Sequence, residues 1–309
     1  MSPFTALLVT PYSESEQSTC QKRGTTSVGG SLSLISHIHG LTHADWIIKN
    51  VTHEYKDLDF YIASNSNSII EVECKGTFKD PKIKPSRQKR SIEEKKKAQR
   101  DLESNGEKIL YGVIVSYYNQ EDELARFRLL DPESDNQYTN PFKLRIQSRL
   151  FFYLSLLNLF SKSHFLIALA NRLRILKALE ADQIKKLNSI PLINSRGKVF
   201  DFPISLDLHR TPLPNKDYIG VIFKNTRSDN YYFFGLHRNI INILIKQNFS
   251  EIAQFRFQPK TEKVPFFEAH IKNEKRFLTG QIMMSSSGIA LGIFTPISSL
   301  LQTKKRRII

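Results

Sequence analysis

Asp57-Leu58-Asp59-Phe60-Tyr61-Ile62 and, ten residues further on, Glu73-Cys74-Lys75-Gly76-Thr77 are the stretches on which the reading of this chain turns. In a strand, alternate side chains share a face. Asp57 and Asp59 therefore lie on one face with Leu58 and Phe60 opposite, and Glu71, Glu73 and Lys75 lie on one face with Val72 and Cys74 opposite. Two neighbouring strands each turn apolar residues to a core and carboxylates to the other side. Such a concentration of like charge is costly unless something neutralises it. A divalent cation does so, and hard oxygen donors suit Mg²⁺, with Mn²⁺ as the alternative.

Working outward, Asp57 to Ala63 and Ser68 to Lys75 read as strands joined by the polar turn Ser64-Asn65-Ser66-Asn67. Lys79 to Arg90, with Pro81 and Pro85, reads as an exposed loop. Ser91 is placed to cap a helix from Ile92 to about Ser104, with Glu94 completing a capping box and Asn105-Gly106 ending it. Ile109 to Tyr117 is a continuous apolar run of the kind found in central strands, and Arg126 to Leu130 a shorter strand ending at Asp131-Pro132. The order strand, strand, helix, strand, strand predicts a mixed α/β sheet. Ahead of it, residues 13–33 are rich in Ser, Thr, Gly and Gln and read as loop.

This arrangement resembles the PD-(D/E)xK nuclease superfamily, which includes many restriction and repair nucleases, over about residues 45–131. The resemblance rests on Asp59, on Glu73-x-Lys75, on the strand-helix-strand run behind them and on Gln99. It implies a restriction-endonuclease-like α/β fold, a mixed sheet flanked by helices. It makes Asp59 and Glu73 the metal ligands, Lys75 the catalytic lysine, and Mg²⁺ (or Mn²⁺) the cofactor. Relatives often carry a further Gln or Lys on the following helix. Here Ile92, Lys96, Gln99 and Leu102 share a face by helical spacing, so Gln99 is the fourth catalytic candidate, with Lys96 behind it. Asp57 competes with Asp59 for the ligand role. No helix carrying the family's additional glutamate is evident ahead of the strands; Glu14 and Glu54 are the acids at hand.

The charge is divided as the chemistry would want. Of 309 residues, 45 are Lys or Arg and 30 Asp or Glu, a net of +15, which points to a polyanionic partner. Residues 1–140 have a net charge of −2 and residues 141–309 of +17. Within the first part, Lys79 to Arg100 alone carries +7. The expected organisation is a loop-rich segment 1–39, a nuclease core 40–138 and a basic α+β domain 139–309. That last domain reads as helical over 142–188, with a break near Ser161-Lys162-Ser163, and then as mainly strands. Those strands are expected at Val199–Leu206, Tyr218–Phe223, Tyr231–Phe234, Gln254–Phe257 and Pro265–Ile271, with a helix over about Leu236–Gln247. Alternate aromatics of Tyr231 to Phe234 are expected in a core. Arg172, Arg174, Lys177, Lys185 and Lys186 are candidates for the floor of a basic groove.

Several classes drop out. Two cysteines, Cys20 and Cys74, exclude a disulfide scaffold and favour a reducing, cytoplasmic setting. No GxxxxGK[ST] or nucleophile-elbow pattern occurs. His37, His39 and His43 lack the spacing and partners of a zinc site. Leu150 to Leu173 is interrupted by Lys162, His164, Asn171 and Arg172, so it reads as a helix pair and not as a membrane span. The expected function is metal-dependent phosphodiester hydrolysis, as a DNA endonuclease of restriction or anti-phage type. The alternative is a catalytically silent nucleic-acid-binding protein on the same scaffold. DNA is favoured over RNA because most such relatives cut DNA. The sequence leaves open whether a second copy of the chain or another protein completes it.

Overall fold

The structure, a computed structural model, describes residues 16–48, 61–77, 84–100, 106–116, 126–138, 140–160, 164–193, 196–199, 213, 217–224, 228–271 and 274–297. Asp57 and Asp59 lie outside the described residues. The chain divides into two units, 1–148 and 149–309, rather than near residue 138. The division falls inside a helix. Drawn there, the first unit is neutral, with 20 basic and 20 acidic residues, and the second carries the whole +15.

The first unit is a mixed five-stranded sheet: β1 (Trp46–Ile48), β2 (Tyr61–Ser64), β3 (Ile69–Thr77), β4 (Gly106–Ser116) and β5 (Arg126–Tyr138), in that spatial order. β1, β2 and β3 are antiparallel neighbours, β3 and β4 are parallel, and β5 returns antiparallel to β4. The parallel step requires a crossover, and α2 (Ser86–Arg100) supplies it. α1 (Glu16–His39) packs on one face. There Ile70, Val72 and Cys74 of β3 and Tyr111, Val113 and Val115 of β4 form a core with Ile35, Leu41 and Ala63. The other face carries Glu71, Glu73 and Lys75, as the alternation predicts.

From Glu16 on, α1 replaces the loop expected over residues 13–33 and the loop-rich character expected of segment 1–39; residues 1–15 lie outside the described residues. Its Ser and Gly content has low helix propensity, but packing overrides it. Ser27, Ser31 and Ile35 are buried, and Gly30 lies so close to the Phe127 ring that a Cβ would stand 2.9 Å from Cε1. α2 begins at Ser86, so Ser91 is an interior residue and not a cap, and residues 86–90 are not loop. Pro85 starts the helix by accepting from the Lys89 N–H at 2.9 Å, and the pairs Lys89–Glu93 and Arg90–Glu94 brace the first turns. β5 runs through Asp131-Pro132 because the register shifts there: Leu110 pairs with Glu133 and Gly112 with Leu130. An edge strand with a bulge is where proline is tolerated.

A buried ion pair closes this unit. Arg145, near the start of α3 (Pro141–Phe160), donates from Nε to Asp45 Oδ1 at 3.0 Å. It also donates from an η nitrogen to the Asn65 carbonyl at 2.9 Å and to Ser66 Oγ at 3.3 Å. The other Asp45 oxygen accepts from Thr42 N at 2.7 Å and Thr42 Oγ1 at 3.0 Å.

In the second unit, α4 (His164–Ala178) and a 3₁₀ segment (Ala181–Ser189) follow α3, matching the expected helical region. Then come β6 (Tyr218–Lys224), β7 (Tyr231–His237), α5 (Arg238–Lys246), α6 (Phe249–Gln254), β8 (Lys260–Ile271), β9 (Glu274–Met284) and β10 (Ile289–Pro296). The antiparallel sheet has the order β6-β7-β10-β9-β8. It curls: the Tyr218 hydroxyl on one edge strand donates to Glu262 Oε2 on the other at 3.2 Å. Burial first, then the charge of Glu262, pushes the Tyr218 phenol well above its usual range, so it stays a donor. Tyr231 and Phe233 are buried and Tyr232 and Phe234 half-buried, as expected for alternate aromatics. Gln254–Phe257 is not a strand. Gln254 ends α6, and Phe255 and Phe257 join a ring cluster with Tyr153 and His237. Val199–Leu206 lies outside the described residues apart from Val199, which bridges to Ile193.

Candidate active site

Glu73 sits at the centre of β3, opposite Gly112 of β4, with its side chain fully buried. Its Oε1 is 2.6 Å from Lys75 Nζ, two residues along the same strand face, and 2.8 Å from Lys95 Nζ on α2. Lys95 also donates to Oε2 at 2.9 Å. One carboxylate is thus clasped by two ammonium groups, whose side chains are 30% and 24% exposed. Glu71 is buried on the same face, and Lys96 is buried on the helix. Beside the central strand of the sheet, both lysines that hold Glu73 touch solvent.

The approach of α2 depends on Gly112. A Cβ there would overlap Ile92 Cγ2 and stand 3.0 Å from Leu130 Cδ1. Ile92 is fully buried, and one helical turn later comes Lys95. The glycine lets the helix settle against β4 beside Glu73, and the helical spacing then aims Lys95 at the carboxylate.

Of the predicted residues, Glu73 and Lys75 come together. Asp59 lies outside the described residues, and so does the side chain of Gln99, although its backbone belongs to α2. In the run Lys95-Lys96-Lys97, Lys97 alone is exposed. The helix residue observed at Glu73 is Lys95. The signal that finds it is a stripe at helical spacing: Ile92, Lys95, Lys96 and Gln99 occupy positions i, i+3, i+4 and i+7.

Hard oxygen donors of the kind Mg²⁺ takes are present in Glu71 and Glu73. Among the described residues, however, no group of three or more His, Cys, Asp or Glu side chains gathers to hold a metal. The donors fit in kind, and a further ligand must come from outside the described residues. Among the described side chains of α1, residues 27–39, there is no acid; the helix's one acid, Glu16, has its side chain outside the described residues. The histidines lie elsewhere. His39 Nε2 meets the Tyr111 hydroxyl at 2.8 Å on the opposite face, and His37 is exposed.

No family model matches the chain, and no curated protein or solved structure matches it. Among the described residues no helix is long and apolar enough to cross a membrane.

In the second unit the expected basic groove loses a member. Arg172 is buried and donates to the Leu187 carbonyl at 3.3 Å and to the Ile190 carbonyl, a structural use of its charge. Arg174, Lys177 and Lys186 are exposed, and the side chain of Lys185 lies outside the described residues.

Proposed function

We propose that the first unit is a metal-dependent nuclease of the PD-(D/E)xK type and that its reaction is phosphodiester hydrolysis, on DNA in preference to RNA. The observation that carries this reading is Glu73, a fully buried carboxylate in mid-strand, held by Lys75 of its own strand and Lys95 of the crossover helix. A purely structural ion pair has no use for a second ammonium group that is itself partly exposed. The element order, two antiparallel strands, a helix, a parallel strand and an antiparallel return, is in keeping with a restriction-endonuclease-like sheet.

Asp59 and Glu73 would hold Mg²⁺ (or Mn²⁺), which when bound supplies Lewis acidity to a phosphate oxygen and a more acidic water. The remaining work falls to the chain. Lys75 neutralises charge developing on the phosphate and orients the attacking water. Lys95 places a second positive charge on the same side. Gln99 is the further catalytic candidate, one turn beyond Lys95 along the same helix. The basic second unit would hold the polyanion. A cytoplasmic, reducing setting is part of the same proposal, on the low cysteine content of the chain. A restriction or anti-phage role and assembly with a second copy or another protein belong to the same proposal.

The test is cleavage of plasmid, linear duplex, single-stranded DNA and RNA with Mg²⁺, Mn²⁺ or EDTA, by the wild-type chain and by Glu73→Gln, Lys75→Ala and Asp59→Asn. Metal-dependent cleavage lost in all three variants is the expected outcome. Cleavage unchanged in Glu73→Gln and Lys75→Ala overturns the site. Salt-dependent binding with no cleavage under any condition replaces it with the silent binding protein.

A further inference from the structure

We propose that the outer face of the second sheet is a stacking platform for single-stranded nucleic acid. This rests on the nucleic-acid reading of the chain, but it involves neither Glu73 nor cleavage.

Strand alternation sorts the aromatics of β6 and β7 into two sets. Tyr218, Ile222, Tyr231 and Phe233 point inward into the core. Phe223 and Tyr232 point outward, are paired in the register, and stack across the strands with centroids 6.0 Å apart and planes 23° apart. At the opposite side of the sheet, a register shift between Val264 and Phe267 turns Phe266 outward. Phe266 stacks on Phe277 of β9 at 5.2 Å and 12°. Phe223 is 49% exposed and Phe266 47%. Single exposed apolar side chains need no explanation, but two stacked aromatic pairs on one sheet face do.

The surrounding charge suits a phosphate backbone. Lys275 Nζ lies 5.3 Å from the Phe277 ring centre. Exposed Lys263 ends the cross-strand row Phe223, Tyr232, Ile293, Gln281, Lys263. Glu268 on this face is paired with Lys275. The row crosses five strands, roughly 19 Å at the usual spacing. Aromatic rings accept any base by its π-face, and cations beside them track the backbone. A duplex keeps its base faces within its own stack, so the platform distinguishes single strands from duplex.

The test uses the full chain in EDTA, with fluorescence anisotropy of a labelled 20-nucleotide oligothymidylate, the matching oligouridylate and a 20-base-pair duplex. Single strands should bind more tightly than the duplex. Phe223→Ala and Phe266→Ala should each weaken single-strand binding by about 5- to 100-fold. Both residues are half exposed, so the thermal midpoint should hold, and Phe223→Tyr should restore affinity. Lys275→Gln should flatten the slope of log K against log salt by about 0.7. Wild-type affinity in both alanine variants overturns the platform, as does equal binding of the duplex. If Glu73→Gln cleaves like wild type in Mg²⁺ while the aromatic variants lose single-strand binding, the Glu73 site falls and the platform stands.

Discussion

Two of the buried acids of the first unit, Asp45 and Glu73, face basic partners, and they are built to opposite ends. Asp45 accepts from three donors spread over both oxygens, and its partner Arg145 spends its remaining donors on the turn between β2 and β3. That turn needs holding, since Ser66 sits at φ 80°. Glu73 instead meets two ammonium groups at Oε1, one of which also donates to Oε2, and both come from side chains that reach solvent. The first cluster is satisfied and closed. The second concentrates charge beside two lysines that reach solvent, as the proposed cation and substrate site requires. The lesson is that burial of a carboxylate does not by itself separate structure from chemistry; the distribution of its partners does.

The largest effect expected from breaking this contrast is on cleavage. Glu73→Gln or Lys75→Ala should lower the cleavage rate by about 10²- to 10³-fold, the scale for losing one preorganised charge contact. The thermal midpoint should move little, because Lys75 and Lys95 can turn into water. Lys95→Ala should follow in the same direction with a smaller loss. A large stability change with cleavage retained would put Glu73 in the same class as Asp45.

The converse holds for the closed cluster. Arg145→Ala leaves Asp45 buried without its cation and should cost about 3–5 kcal/mol, roughly 10 °C in midpoint. Trp46, the only tryptophan of the chain, packs in the first unit and donates to Ser36 Oγ at 2.9 Å. Its fluorescence therefore follows this unit alone. A midpoint within 2 °C of wild type would show that the pair is dispensable.

The glycines extend the comparison from one unit to the other. Gly112→Ala presses on the Ile92 side chain and should cost about 1–3 kcal/mol, with α2 and Lys95 displaced from Glu73. Shortening the obstacle in Gly112→Ala/Ile92→Val should recover part of both stability and cleavage. At Gly280 in the second sheet the obstacle is the Ile293 carbonyl, which no side-chain change can relieve. Recovery at neither site, or at both, would show that helix approach is not what Gly112 controls.

How far these features were legible follows from their range. Alternation in Glu71 to Lys75 and the apolar run Ile109 to Val115 are local patterns, and both strands and the acid face were foreseeable from them. α1 was not, because Ser and Gly read locally as loop while the contacts that fold them, such as Gly30 against Phe127, lie a hundred residues apart. β9 and β10 escaped for a related reason. Gly280 and Gly292 break the β-branched pattern, and they fit only through close approach of the neighbouring strands in the finished sheet. Lys95 was hidden by its neighbours: three consecutive lysines look alike until the helix phase, set by Ile92, separates them.

The smallest expected effect concerns acid, and it treats the two units alike. Burial holds the imidazole of His39 below its usual pKa in the first unit, where Nε2 meets the Tyr111 hydroxyl. It does the same to His237 in the second, where Nδ1 accepts from the Asn239 N–H at 3.2 Å; Lys260 adds to the depression and Asp217 and Glu262 oppose it. A base whose folded pKa lies below the unfolded value of about 6.5 binds fewer protons in the folded state. Its stabilising contribution is complete above that pH and declines as the pH falls below it. Between pH 7 and pH 5 the Trp46 transition should therefore drop by about 2 °C, and His39→Gln should flatten that drop without touching the His237 unit seen by circular dichroism. A Trp46 midpoint that rises on acidification would reverse the sign and show that His39 gains, rather than lacks, a partner for its charge.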